Sequence, residues 1–426
     1  MSRTLLAPVV GAVRHYLAVM SQHLIADVLI PGRGEPIERG RVVLDGRSIV
    51  YAGPDADGPA RAADDTVIEA PVVMPGLWDC HAHFAGLRDP NLERMATTHV
   101  ATLAARSVLD AEAILDAGVT SVRDVGGLGI HLAPAVDEGT LRSPFIHAAG
   151  AILSTTGGHG DIHSFPLDFA HDVCAAASFS ILCDGVPEVL KAVRKNLRLN
   201  AKLIKICASG GVMSEIDHPH HQQFSDEEMA AIVGEAARAE RIVAAHCHGK
   251  AGIMAALRAG CHTIEHGSFL DEEAADLMVE QGAMMVPTRF VVESLLSQPE
   301  IMPPYAYAKG LIVADAHEMA LKLAVAKGVK IAAGCDIFVS GMTYGQNSME
   351  INYLINAGLT DLEAIEAATA NGPETLGAQG PRSGQLVEGY DADVITLDRN
   401  PLNDRSVWGD PSAVTGVWQR GAQVKG

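Results

Sequence analysis

Apolar and polar positions follow two different rhythms along this chain. Between 22 and 73 the apolar residues form short β-prone runs, LIADVLIPGRGEPI, RVVLDGRSIVYAGP and DTVIEAPVVMPG, cut by Gly and Pro. The Asp-Gly of LDGRSI marks a hairpin turn. The C-terminal stretch repeats that texture in GQLVEGYDADVITLD and AVTGVWQRGAQVKG. Two β-rich ends around a different middle predict a small β-sandwich domain built from both termini, residues 22–74 and 380–426. Residues 1–21 are read as an extension ahead of it.

Over 75–379 the pattern alternates. Strand-like runs stand at 76–84, 120–127, 145–153, 202–211, 241–249, 262–268, 283–290 and 330–338. Between them lie helix-like segments such as DEEMAAIVGEAARAE, KAGIMAALRAG and DEEAADLMVEQG. Ser225 with Asp226, Glu227 and Glu228 is an N-cap signal, and Gly260 and Gly282 sit where helices end. Strands alternating with helices in this way predict an α/β fold, a (β/α)8 TIM-type barrel.

Charge and cysteine usage narrow the function classes. The 32 Lys+Arg against 52 Asp+Glu give a net charge of −20, which argues against nucleic-acid and anionic-membrane partners. No apolar run approaches the roughly 20 residues of a membrane-spanning helix. The 7 cysteines are an odd number without a C-x-x-C pair, which points to a reducing, cytoplasmic compartment. Leu5–Val13 has the look of a short signal-peptide core, but Arg14 and His15 follow at once and no A-x-A site is evident. Met20 is an alternative start.

Several strand-like runs end in a potential metal ligand, and barrel active sites lie at the C-terminal ends of strands. The first ends in His81-Ala-His83, two imidazoles on one face of an extended chain. The fifth ends in His246-Cys-His248, the sixth in His266 and the eighth in Asp336. Histidine and carboxylate ligands with open positions make a hydrolytic metal site. Lys205 interrupts the apolar fourth run. Buried there, its amine has a lowered pKa and can take up carbon dioxide, forming a carbamate able to bridge two cations. Cys80 and Cys247 flank ligands, but strand alternation turns them away.

The segments MPGLWDCHAHF, TGGHGDI, KICASGGVMS, AAHCHGKAGIMAALRAGC and AIEAATAN resemble the amidohydrolase superfamily, in its imidazolonepropionase-like branch of metal-dependent peptidases. Xaa-Arg and Xaa-Lys dipeptidases share most of them. The resemblance implies two divalent metal ions, usually zinc. His81, His83 and Asp336 would hold one and His246 and His266 the other, with Lys205 as N6-carboxylysine between them. Asp336 is the expected acid–base residue, and His248 is placed to meet the oxyanion or the substrate. His159, in the TTGGHGD loop, is an expected catalytic and substrate contact, and Arg289 is a candidate clamp for a substrate carboxylate. His163 and Tyr344 are further substrate-binding candidates. The segment 214–224, with three histidines, is read as a mobile loop over the pocket.

The activity so implied is hydrolysis of an amide bond in a small N-acyl amino acid or dipeptide-like substrate. Ochratoxin A, an aromatic acyl group joined to phenylalanine, is one such compound. A urea, carbamate or cyclic amide is the alternative substrate class, and a non-catalytic barrel the remote one. Relatives of this kind are homo-oligomers, some of them octamers, and 305–328 is a candidate interface.

Overall fold

The computed structural model describes residues 21–339 and 343–426. Residues 1–20, and with them the possible leader and alternative start, lie outside the described residues. The chain opens with β1 (Gln22–Leu29), β2 (Ile37–Asp45), β3 (Ser48–Pro54) and β4 (Thr66–Pro75). Next come β5 (Leu77–Leu87), β6 (Val119–Asp124), β7 (Phe145–Ala148), β8 (Ile152–Ser154), β9 (Ser180–Leu182) and β10 (Ile204–Cys207). They continue as β11 (Val243–Cys247), β12 (Thr263–His266), β13 (Met284–Val286), β14 (Lys330–Ile331) and β15 (Ile337–Val339). The chain closes with β16 (Val394–Leu397), β17 (Val414–Gln419) and β18 (Ala422–Lys425).

Strands from both ends share one sheet, in the order β18-β17-β16-β4-β1-β2-β3. Its inward residues, among them Leu24, Leu29, Val42, Leu44, Val394 and Trp418, form a core of their own. Each large apolar side chain buried there contributes about 1.5–3 kcal/mol. Trp418 Nε1 donates to Gln22 Oε1 at 2.9 Å, so a C-terminal strand is tied to the first one.

The middle is a parallel barrel, closed where β15 pairs with β5 at Ile337 and Ala82. The third and eighth runs are each broken in two. Between β7 and β8, Gly150 takes φ +75°, and the Asn196 side chain bonds both the N–H (3.2 Å) and C=O (2.7 Å) of Ala151. That side chain replaces the ladder bonds the break removes. Between β14 and β15 the chain runs irregularly through 332–336 and delivers Asp336. The expected helix stops are present: Ser225 and Glu228 form a capping box, and Gly260 and Gly282 are left-handed C-caps. No helix among the described residues is long and apolar enough to cross a membrane.

Candidate active site

The C-terminal ends of the barrel strands bring the expected residues together. β5 supplies His81 and His83, β10 Lys205, β11 His246 with His248 just beyond it, β12 His266, and the irregular stretch before β15 Asp336. Asp336 Oδ1 lies 3.2 Å from His83 Nε2 and 3.6 Å from His81 Nε2. Lys205 Nζ is 3.4 Å from His81 Nε2. The His266 ring centre is 5.0 Å from that of His81 and 4.7 Å from that of His246. All of these line one cleft of about 780 Å³, mouth included.

A partner on one ring nitrogen orients each imidazole. His83 Nδ1 donates to Gly126 O at 2.7 Å, His81 Nδ1 meets Glu265 at 2.7 Å, and His266 Nδ1 meets Thr288 Oγ1 at 2.7 Å. Each leaves Nε2 free for the cleft, as in metal-ligating histidines. His246 is turned the other way, with Nε2 3.4 Å from Gly210 O, so Nδ1 is left for the centre. His266, Thr288 and Asp336 all have positive φ (67°, 57° and 58°). Backbone strain of this kind costs about 1–3 kcal/mol per residue and gathers at functional sites.

The electrostatics suit a cation. Burial pulls the imidazoles of His81 and His248 down to about 4 and about 3 and lowers the Lys205 amine. Burial would raise Asp336, but His81 and His83 outweigh it and hold the carboxyl below its usual range. Neutral imidazoles, an ionised carboxylate and an amine biased toward its neutral form are what divalent cations take as ligands. The oxygen and nitrogen atoms of His81, His83 and Asp336 lie within 4.8 Å of one another, close enough to share an ion. The residues present fit the metals.

The remaining candidates are placed differently. His159 lines the cleft and stacks on His246 with ring centres 4.2 Å apart. His163 is occupied in joining two loops: Nε2 meets Gly158 O at 3.1 Å and Nδ1 accepts from Ile216 N at 3.1 Å. The Tyr344 hydroxyl donates to His83 O at 2.7 Å and supports the ligand strand from outside the cleft. Arg289 does not reach the cleft. Its guanidinium is turned onto the helix Pro304–Lys327, donating to Ala314 O at 2.6 Å and pairing with Glu293 at 2.5 Å. The expected carboxylate clamp is therefore a packing residue. Nor does the histidine-rich segment hang free, because Lys309 binds it at several points.

Sequence reading missed the residues behind the candidate ligands. Glu265 accepts from His81 and takes both oxygens to Arg123 Nη2, at 2.7 and 2.6 Å. Asp79 Oδ1 accepts from His81 N (3.0 Å) and Cys335 N (3.1 Å), drawing β5 and the stretch that carries Asp336 together. A signal existed: an arginine and a glutamate, each inside an apolar strand, need one another once buried.

A parallel barrel with histidines, a lysine and an aspartate at its strand ends defines a class of barrel hydrolases that generally use metal ions. This chain belongs to the amidohydrolase family, whose model matches residues 72–424. It is 44% identical to an ochratoxinase of Aspergillus niger over 421 residues, 95% of this chain and 86% of that protein. The crystal structure of A. niger ochratoxinase superposes with a TM-score of 0.90 at 42% identity, covering 96% of each chain. A prolidase crystallised with N-methylphosphonate-L-proline gives 0.88 at 36% identity, covering 95% of this chain and 100% of that one. The chain is a hydrolase acting on carbon–nitrogen bonds of amides or peptides.

Proposed function

We propose that this amidohydrolase carries two divalent metal ions, zinc by preference, and cleaves the amide bond of small N-acyl amino acids or dipeptide-like compounds with apolar groups, ochratoxin A among them. The observation that carries the reading is the convergence of His81, His83, Lys205, His246, His266 and Asp336 on one cleft. Each imidazole there is oriented by a hydrogen-bond partner on one ring nitrogen. His81, His83 and Asp336 would hold one ion and His246 and His266 the other, with carboxylated Lys205 between. Ions held there supply Lewis acidity to the scissile carbonyl and to water.

The chain's own groups do the rest. Asp336 takes the proton that the attacking water loses as the C–O bond forms, and returns it to the leaving nitrogen as the C–N bond breaks. His248, with Nδ1 bonded to Ser268 Oγ at 2.7 Å, stands beside His266 to meet the substrate carbonyl oxygen. Val291, Val292, Leu295, Leu296, Met302 and Phe338 form the apolar wall of the cleft, which favours apolar side chains. The ochratoxinase and prolidase likenesses support the same chemistry. We include in this reading a cytoplasmic location and a homo-oligomer. Exposed Leu311, Ile312 and Met319 on the helix Pro304–Lys327 are its candidate contacts.

The test joins metal analysis to a substrate panel. About two metals per chain are expected, with turnover lost on chelation and restored by zinc. Free amino acid should be released from N-acyl-phenylalanine faster than from N-acyl-arginine. A single ion, or turnover confined to ureas, carbamates or cyclic amides, would overturn the assignment.

A further inference from the structure

The loop beside the cleft is organised around a half-buried ammonium group. Lys309, on the helix Pro304–Lys327, directs Nζ into the segment after β10. It donates to Gly211 O (3.2 Å), Ser214 O (2.7 Å), Asp217 O (2.5 Å) and Asp217 Oδ1 (3.1 Å). Asp217 Oδ2 accepts from Gly211 N (2.9 Å) and Gln223 Nε2 (3.1 Å). The Asp217 carboxylate is 6% exposed, so every bond it makes is made in a dry place and is correspondingly strong.

The consequence reaches the cleft through one hydroxyl. Ser214 has a single proton, and it donates that proton to Asp217 Oδ1. Its oxygen can then only accept, and the donor facing it is His159 Nδ1, at 2.9 Å. In the neutral ring Nδ1 therefore carries the hydrogen, and Nε2 is left with a lone pair. The ring cannot swing away. One face stacks on His246 at 4.2 Å. The Gly211 backbone presses so near that a Cβ there would lie 2.1 Å from the ring.

We propose that Asp217, held by Lys309, is a positioning residue that acts through Ser214 to set the orientation and tautomer of His159, so that Nε2 meets the substrate as a hydrogen-bond acceptor. The inference rests on the cleft being the substrate site. It assigns His159 a partner that donates, such as the N–H of a scissile amide. A plain loop staple would hold the backbone and leave the tautomer alone, and the measurement separates the two.

The experiment uses the zinc-loaded protein labelled with [15N]histidine and read by long-range proton–nitrogen correlation. The His159 signals are assigned by their loss in His159→Gln. Expected is a protonated Nδ1 and a bare Nε2 in the parent chain, retained in Ser214→Thr and shifted toward the Nε2–H form in Ser214→Ala. A parent chain with Nε2–H, or a Ser214→Ala protein with unchanged tautomer, overturns the proposal. Kinetics on N-acyl-phenylalanine add a second arm. Ser214→Ala should lower kcat/KM roughly 10–100-fold, the range for loss of an outer partner of a site histidine. The Ser214→Ala/His159→Gln double variant should be no slower than His159→Gln, because one residue acts through the other. Additive losses would overturn the relay. The spectroscopic arm needs no turnover, so a wrong substrate class and a wrong relay give different results.

Discussion

The Lys205→Ala variant is expected to fold, to bind metal poorly and to lose amide hydrolysis by more than the roughly 10²–10³-fold that removing one preorganised electrostatic partner costs. Lys205 is 2% exposed on an apolar strand. Burial pulls its pKa down, and Glu265 and Asp336 only partly oppose this. Its amine stands 3.4 Å from His81 Nε2. A lysine has little reason to be there as a cation, because ions held by the neighbouring histidines and Asp336 would repel it. As a carbamate it would bring two oxygens and a negative charge to the place where two cations would need them. Removing it leaves His81, His83 and Asp336 able to hold one ion, so metal content should fall toward one per chain. Two additions make the test specific. Lys205→Met, which keeps the volume, should be as inactive as Lys205→Ala. Short carboxylates such as formate or propionate should return part of the activity to Lys205→Ala and none to Lys205→Met, whose side chain fills the space. A variant with parental metal content and turnover would remove the bridging carbamate from the mechanism.

What could be read from the sequence was set by whether a residue announces itself locally. His81-Ala-His83, His246-Cys-His248 and the lone Lys205 stand out because polar groups at strand ends in an apolar barrel need a reason. The alternation of strands and helices was legible for the same local reason. Two strands are broken, one where the Asn196 side chain bonds Ala151 and one along the irregular stretch 332–336, and no periodicity records such a break. The misplacement of Arg289 is instructive. It sits at a strand end in VPTRF, in the register of a site residue, but Thr288 takes φ +57° and the chain turns at once into a helix capped by Glu350, which accepts from Arg289 N and Phe290 N at 2.9 and 2.7 Å. The turn delivers Thr288 to His266 and points the arginine away from the cleft, into the packing against the helix Pro304–Lys327. Partners 61 residues apart in sequence leave no trace in a local pattern. Asp217 and Lys309 were silent for the same reason.

The second large effect is expected from Arg123→Met. Arg123 is wholly buried. It donates from Nη2 to both Glu265 oxygens at 2.7 and 2.6 Å and from Nη1 to Thr263 Oγ1 at 3.0 Å. Burial would raise the Glu265 carboxyl, but Arg123 and His81 together overcome it and hold the group well below the ordinary carboxylate range. The parent chain thus gains stability from this group above the unfolded value of about 4.3, and loses it only as pH falls through the lower folded value. In Arg123→Met the burial is unopposed by a full charge and the folded pKa rises. The folded variant then holds a proton that the unfolded chain releases, and its stability declines as pH rises. Breaking a buried pair in this way costs about 3–5 kcal/mol. The deficit against the parent, measured by urea unfolding, should therefore be larger at pH 8 than at pH 5; the reverse order would overturn the account. A second variant separates stability from metal binding. Arg123→Met/Glu265→Leu removes both charges and should recover most of the lost stability. It still leaves His81 Nδ1 without its acceptor, so the imidazole is free to choose the tautomer that points a hydrogen at the centre. Metal affinity should remain roughly 10–100-fold below that of the parent, with the fold intact and the ligands all in place.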